Sequence, residues 1–126
     1  MDTTEIYIKM CQQAKEIQEH VNFTSGDFVY CIKNGKTVVL YFNAGNGSPP
    51  WYYTDIETSI FLPRQDQLQE MIGGSWMDIL GDFNEWSKGV PRDKQPMSKS
   101  MEQIWLYFVM KEKYNKYWNG EDWVSA

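Results

Sequence analysis

The chain has few of the residues that build reactive or metal-binding sites. It contains one histidine and two cysteines among 126 residues, and arginine occurs only at positions 64 and 92. Two cysteines are too few for a disulfide framework, so Cys11 and Cys31 are expected to be small core residues in a reducing cytoplasm. The sequence lacks a nucleophile elbow, a phosphate loop ending in Gly-Lys-Ser/Thr, and paired histidines at metal-ligand spacing. These absences argue against the common hydrolytic and transfer enzymes.

Long apolar runs and positive charge are also scarce. No apolar run approaches the ~18 to 20 residues of a membrane span, and the first residues lack the charged-then-apolar layout of a secretory signal. The sequence therefore predicts a cytoplasmic protein that does not bind membranes. The formal net charge of −5 argues against non-specific nucleic-acid binding, which requires a cationic face for counterion release.

Aromatic residues are abundant, at 16% of the chain, and hydrophobic residues reach 42%. Such a composition is typical of a folded protein with a buried core and not of a disordered one. The length fits one domain. We predict a single compact α+β domain over residues 1–126, with an N-terminal helix, a hairpin, one or two further strands, and two or three helices.

The N-terminal segment has the pattern of an amphipathic helix. Asp2 is a candidate N-cap, and Glu5 lies at capping-box spacing from it. One helical stripe is apolar at steps of three and four residues, and its members are Tyr7, Met10, Ala14, Ile17 and Val21.

Two β-rich runs, residues 27–33 and 36–42, follow this helix and are separated by Asn34-Gly35. Two residues that tolerate positive φ between such runs are a strong hairpin signal. Both faces of this hairpin carry apolar residues, so we expect both to be covered. A further strand region is predicted over residues 51–61.

The rest of the chain predicts helices. The first covers residues 64–72 and ends at Gly73-Gly74, and Ser75 is a candidate cap for the next. The apolar stripe of that second helix consists of Trp76, Ile79, Leu80, Phe83 and Trp86. Residues 104–110 are apolar without a break, and their flanks favour a central helix, capped by Ser98 or Ser100, over a buried strand. The final Asn119-Gly120 segment forms either a small hairpin or a tail.

The candidate binding residues form two groups, one at residues 51–53 and one that begins at Arg64. Trp51, Tyr52 and Tyr53 follow a loop rich in Gly and Pro, and at least one of their rings must point away from the core face of a strand. Exposed rings of this kind stack on bases or anchor protein interfaces. Arg64, with Gln65 and Gln67 beside it, lies at the start of a predicted helix, where free amide donors help to hold a phosphate or carboxylate. A surface ion pair from Arg64 to Asp66 or Glu70 is the alternative.

Two features offer catalytic alternatives. Asp78, Asp82 and Glu85 share one face of the second predicted helix, so they could bind a hard cation or supply an acid/base pair. An amphipathic helix places charges on its solvated face in any case. His20 could act as a base beside a cysteine thiolate, but the helix pattern places Cys11 on the buried stripe and His20 at the polar end of the helix.

Two stretches, Phe61-Leu-Pro-Arg-Gln-Asp-Gln-Leu-Gln-Glu-Met71 and residues 104–124, resemble small uncharacterised proteins of phages and prophages in Gram-positive bacteria, chiefly clostridia and bacilli. The family has no assigned enzymatic activity, so no functional residue is carried over. The resemblance implies a phage accessory protein in the cytoplasm of the host cell. By analogy, such proteins often disable host defence by binding an effector or a signalling nucleotide.

The sequence thus predicts a non-enzymatic binding protein without catalytic residues, metal or cofactor, which neutralises a host protein by direct binding. The first alternative is a protein that sequesters a signalling nucleotide, stacking the base on Trp51 or Tyr53 and holding phosphate with Arg64 in a symmetric homodimer. The second is a metal-assisted enzyme that uses the acidic helix face. A virion or assembly component is a further option.

Overall fold

The computed structural model of the protein describes residues 1–40, 59–91 and 100–126. In chain order the helices are α1 (Glu5–Gln13), α2 (Lys15–Glu19), α3 (Gln65–Ile72), α4 (Trp76–Gly89) and α5 (Met101–Tyr114). The strands are β1 (Phe28–Cys31), β2 (Lys36–Val39), β3 (Ser59–Leu62), β4 (Lys116–Trp118) and β5 (Trp123–Ser125). Helices and antiparallel sheets together confirm the predicted α+β class.

These elements form two compact units. The first covers Thr3–Pro63, and the second contains Met1–Asp2 with Arg64–Ala126. The prediction that residues 1–126 form one domain stays a prediction. Among the described residues, no helix is long and apolar enough to cross a membrane.

The predicted N-terminal helix is present, but as two helices. The chain leaves helical geometry at Ala14, where φ is −82° and ψ is 70°. The predicted stripe is buried at Tyr7, Met10, Ala14 and Ile17, whereas Val21 lies beyond the end of α2. The Asp2 cap was wrong, because the Thr4 side chain accepts the hydrogen bond from the Tyr7 amide instead.

The first unit contains a three-stranded antiparallel sheet in the order β2-β1-β3. Val29 lies opposite Val38 on one side and Phe61 on the other. Val29 and Phe61 are buried, and Phe23 packs edge-on against Phe61 with ring centroids 5.8 Å apart. The other face is buried at Ile60 and Leu62 but not at Val39, which is exposed. The expectation that both faces of the hairpin are covered therefore holds only in part.

The predicted hairpin forms with a longer loop than the two residues expected. Cys31 pairs with Lys36, so residues 32–35 form a four-residue connection. The Gly35 amide donates to the Cys31 carbonyl at 2.9 Å, and Gly35 has a φ of +67°. The Asn-Gly signal located the turn correctly, because the glycine supplies the positive φ that closes it.

Gly35→Val is expected to lower the free energy of unfolding by about 1 to 2 kcal/mol or more, because a β-branched residue resists positive φ. A Cβ at Gly35 would lie 3.7 Å from the Tyr30 hydroxyl, an ordinary contact, so backbone strain and not a clash causes the loss. Chemical denaturation measures the change. The control is Gly81→Ala in α4, where a Cβ meets nothing within 4 Å and a small gain is expected. Equal unfolding midpoints for Gly35→Val and wild type would contradict this account of the turn.

In the second unit, three helices begin at the predicted positions. Arg64 is the N-cap of α3, one residue before the helix proper, and Gly73 ends α3 with a φ of 75°. The Ser75 side chain caps α4 by accepting from the Asp78 amide. Of the two serines considered for α5, Ser100 is the cap, and its hydroxyl accepts from the Gln103 amide.

Helix α5 is the centre of the second unit, as the unbroken apolar run predicted. Its six consecutive residues from Trp105 to Met110 are buried, and α3 packs along it. A segment buried on all sides needs no polar face, which explains why the sequence of this central part of α5 shows no amphipathic period. At its start, the buried Gln103 side chain donates to the Asp2 carboxylate at 2.6 Å.

The final Asn-Gly segment is a hairpin. Strands β4 and β5 pair antiparallel, with Trp118 opposite Trp123. The Asn119 side chain accepts from the amides of Glu121 and Asp122, which closes the turn. Trp123 is buried, and its ring packs against Tyr107 of α5 with centroids 5.6 Å apart.

Candidate functional site

The most unusual feature of the second unit is an apolar surface on α4 that no described residue covers. Trp76 is 70% exposed, Met77 65% and Leu80 49%. None of the fourteen residues of α4, all of them described, is buried. We refer to Trp76, Met77 and Leu80 as the α4 apolar surface. Exposed patches of large apolar side chains mark interaction sites more often than isolated exposed residues do.

The helix itself brings these three side chains together. Residues three and four positions apart lie on the same side of a helix, so Leu80 is next to both Trp76 and Met77. The Ser75 side chain caps the start of α4 and so stabilises the first turn, which carries Trp76. A tryptophan at a capped helix end is well placed to insert into a partner pocket.

The other half of α4 holds the helix on α5. The Phe83 ring stacks on Trp105 at 4.2 Å between centroids, with an angle of 19° between the planes. Trp86 contacts Phe108 at 5.2 Å and Tyr107 at 6.0 Å. The sequence pattern predicts Trp76 and Leu80 on the same apolar stripe as these two rings. Only the part of the stripe from Phe83 onwards is held by ring contacts with α5.

The acidic residues of α4 do not form a metal site. Asp78, Asp82 and Glu85 are all exposed, and Glu85 is 3.9 Å from the Lys88 ammonium group. Among the described residues, no group of three or more His, Cys, Asp or Glu side chains is arranged to hold a metal ion. The arrangement is that of a solvated helix face, which was the other interpretation of these residues.

Arg64, predicted to hold an anion, is engaged by a neighbouring carboxylate. Its Nε donates to one oxygen of Asp66 at 3.0 Å and its Nη2 to the other at 3.3 Å. This hydrogen bond and the charge of the guanidinium lower the pKa of Asp66 below its ordinary value. A phosphate or carboxylate ligand that uses this edge of the guanidinium would have to displace Asp66. The surface ion pair given as the alternative is the arrangement that forms.

The remaining predicted site residues do not converge on Arg64 in the described part of the chain. The Gln67 side chain accepts from the Arg64 amide at 2.8 Å, so it caps α3. Gln65 is the first residue of α3 and is half-buried. Trp51, Tyr52 and Tyr53 lie outside the described residues, so their assignment stays a prediction.

A cleft of about 300 Å³ lies at the carboxyl end of α4. Its lining includes Trp86 and Val90 from the end of α4, Tyr107 and Lys111 from α5, and Tyr117 from β4. Glu85 also borders it. No local sequence pattern predicts this cleft, because its walls come from three separate segments of the chain.

The comparisons with known proteins leave the geometry as the basis for a functional argument. No protein-family model matches the chain, and no curated protein or solved structure is significantly similar to it.

Proposed function

We propose that the protein acts without catalysis, by binding a partner protein through the α4 apolar surface. The observation that carries this proposal is the exposure of Trp76, Met77 and Leu80 side by side on a helix that begins at a serine cap. Fully burying one such side chain stabilises a protein by about 1.5 to 3 kcal/mol, and this stabilisation is absent while the side chain is in water. A folded protein recovers that energy when a partner covers the surface.

The composition of the surface suits an interface. Tryptophan is enriched among the residues that dominate binding energy, because it buries a large area with few rotatable bonds. Methionine adapts its shape to a partner pocket. Their spacing matches helix-in-groove recognition, in which side chains at steps of three and four residues enter one hydrophobic groove.

The charges of α4 indicate the chemistry of that partner. The helix carries Asp78, Asp82 and Glu85 against the single cation Lys88. At about 100° per residue, these carboxylates lie on the side of α4 opposite the α4 apolar surface, so they act on a partner at long range and not inside the contact. We therefore propose a partner whose apolar groove lies on a positively charged surface, a complementarity that speeds encounter.

The resemblance to phage and prophage proteins supplies the biological part of the proposal. On that basis the partner is a host factor, such as a defence protein, and binding inhibits it in the host cytoplasm. Nucleotide sequestration at Arg64 is the weaker alternative, because Asp66 already occupies the Nε–Nη2 edge of the guanidinium, which is one of its two bidentate edges.

Affinity purification from a clostridial or bacillal host lysate tests the proposal. Wild type, Trp76→Ala and Ile6→Ala are immobilised in parallel, and bound proteins are identified by mass spectrometry. Ile6 is the matched control, since it is 61% exposed on α1 in the other unit. Wild type and Ile6→Ala are expected to retain the same host protein, and Trp76→Ala is expected to lose it.

Two outcomes would contradict the proposal. Retention of the same protein by Trp76→Ala would show that the contact lies elsewhere. A homodimer seen by light scattering in wild type and lost in Trp76→Ala would assign the surface to a second copy of the chain.

A further inference from the structure

We infer that the cleft at the carboxyl end of α4 binds a flat aromatic ring that carries a negatively charged group. This inference is independent of the partner surface, which occupies the amino-terminal half of the same helix. It rests on the shape of the cleft, the rings that line it and the position of one lysine.

The size and walls of the cleft select a small planar molecule. A volume of about 300 Å³ lies at the lower end of the range for small-molecule sites. Three of the lining side chains are aromatic, namely Trp86, Tyr107 and Tyr117. The Trp86 and Tyr107 rings are tilted by 40° with centroids 6.0 Å apart, and Tyr107 is held firmly because it is buried in the core. A flat ring gains stacking contact with such walls, as it does in proteins that bind single bases.

Lys111 supplies the positive charge that pairs with the acidic group of the ligand. It lies in the last turn of α5, where the negative end of the helix dipole favours a cation. Its ammonium group donates to the Asn115 side-chain oxygen, which holds it close to the helix end. Lys111 is half-buried as a residue, and the hydrogen bond of its ammonium group to Asn115 is exposed, so a ligand anion can reach that group.

Glu85 limits the negative charge that a ligand in the cleft can carry. Glu85 is among the residues that line the cleft, so a ligand with many negative charges would be repelled. A carboxylate can accept a hydrogen bond from a ring N–H or an exocyclic amino group. Aromatic carboxylates with a ring N–H and nucleoside monophosphates share the chemistry that this combination favours.

Isothermal titration calorimetry with three probes distinguishes an aromatic carboxylate from a nucleoside monophosphate as the ligand. The probes are indole-3-carboxylate, adenosine monophosphate and neutral indole. At least one anionic probe is expected to bind with a Kd near or below about 1 mM. If indole-3-carboxylate binds, neutral indole is expected to bind about tenfold more weakly, since it lacks the partner of Lys111.

Substitutions of the lining residues test whether the probes bind in the cleft. Lys111→Met keeps the aliphatic part of the side chain and removes the charge, so it is expected to weaken the anionic probe about tenfold. Tyr117→Ala is expected to weaken every probe that binds. The control Lys9→Met removes an exposed lysine of α1 and should bind like wild type, as should Trp76→Ala, which separates this test from that of the proposed function.

Two results would overturn the inference. One is the absence of saturable binding of both anionic probes up to about 10 mM. The other is unchanged affinity in both Lys111→Met and Tyr117→Ala, with circular dichroism showing that the variants are folded.

Discussion

Replacing Phe108 with alanine is expected to lower the free energy of unfolding by about 3 to 5 kcal/mol. Phe108 is completely buried in α5. Its ring contacts Phe83 at 5.4 Å, Trp86 at 5.2 Å and Trp105 at 5.7 Å between centroids. Truncation removes the buried apolar surface of the ring and leaves a cavity among three aromatic side chains, which cannot close it without losing their own contacts.

Urea unfolding followed by circular dichroism measures this loss. Met101→Ala on the same helix is the control, because Met101 is exposed and its truncation should change stability by no more than about 0.5 kcal/mol. A loss below about 1 kcal/mol for Phe108→Ala would show that its ring is not in the core.

Gln18→Leu is expected to lower the free energy of unfolding by about 2 to 4 kcal/mol, a large effect for a side chain that is only half-buried. The Gln18 carboxamide pairs with the backbone of β3 as a neighbouring strand would. Its Nε2 donates to the Phe61 carbonyl at 2.9 Å, and its Oε1 accepts from the Phe61 amide at 2.9 Å. Nε2 also donates to the Cys11 carbonyl at 3.0 Å, next to the break between α1 and α2.

Leucine has a similar size but no hydrogen-bonding groups, so the Phe61 amide and carbonyl lose the Gln18 side chain as a partner, while the Cys11 carbonyl still accepts from the Ala14 amide. Thermal and chemical unfolding measure the effect, and hydrogen exchange at the Phe61 amide is expected to become faster. Gln12→Leu, an exposed position on α1, is the control. Equal stability of the Gln18 and Gln12 variants would contradict the structural role of Gln18.

Local signals in the sequence were sufficient for much of the fold. Ser75 and Ser100 cap helices, Gly73 ends one, and Asn119-Gly120 closes a hairpin because each feature depends on neighbouring residues alone. The Asp2 cap failed because the carboxylate has a partner distant in sequence, the Gln103 side chain. The pairing of Gln18 with β3 was not foreseen for the same reason.

The candidate site was the less predictable part. Periodicity shows which residues share a helix face, but it does not show whether another element covers the whole face. Trp76 and Phe83 therefore look equivalent in the sequence, yet Phe83 stacks on Trp105 and Trp76 is largely exposed. The scarcity of arginine draws attention to Arg64 as an anion-binding residue, but in the structure Arg64 pairs with Asp66, two residues later in the chain.

The dissociation constant of the captured partner tests the central claim most directly. Once purified, that protein is titrated against wild type, Trp76→Ala and Ile6→Ala. Binding through the α4 apolar surface predicts that Trp76→Ala raises the Kd about thirtyfold or more, the loss of at least about 2 kcal/mol that defines a dominant interface residue, while Ile6→Ala leaves it unchanged. A Trp76→Ala variant that is folded and binds as tightly as wild type would contradict the account.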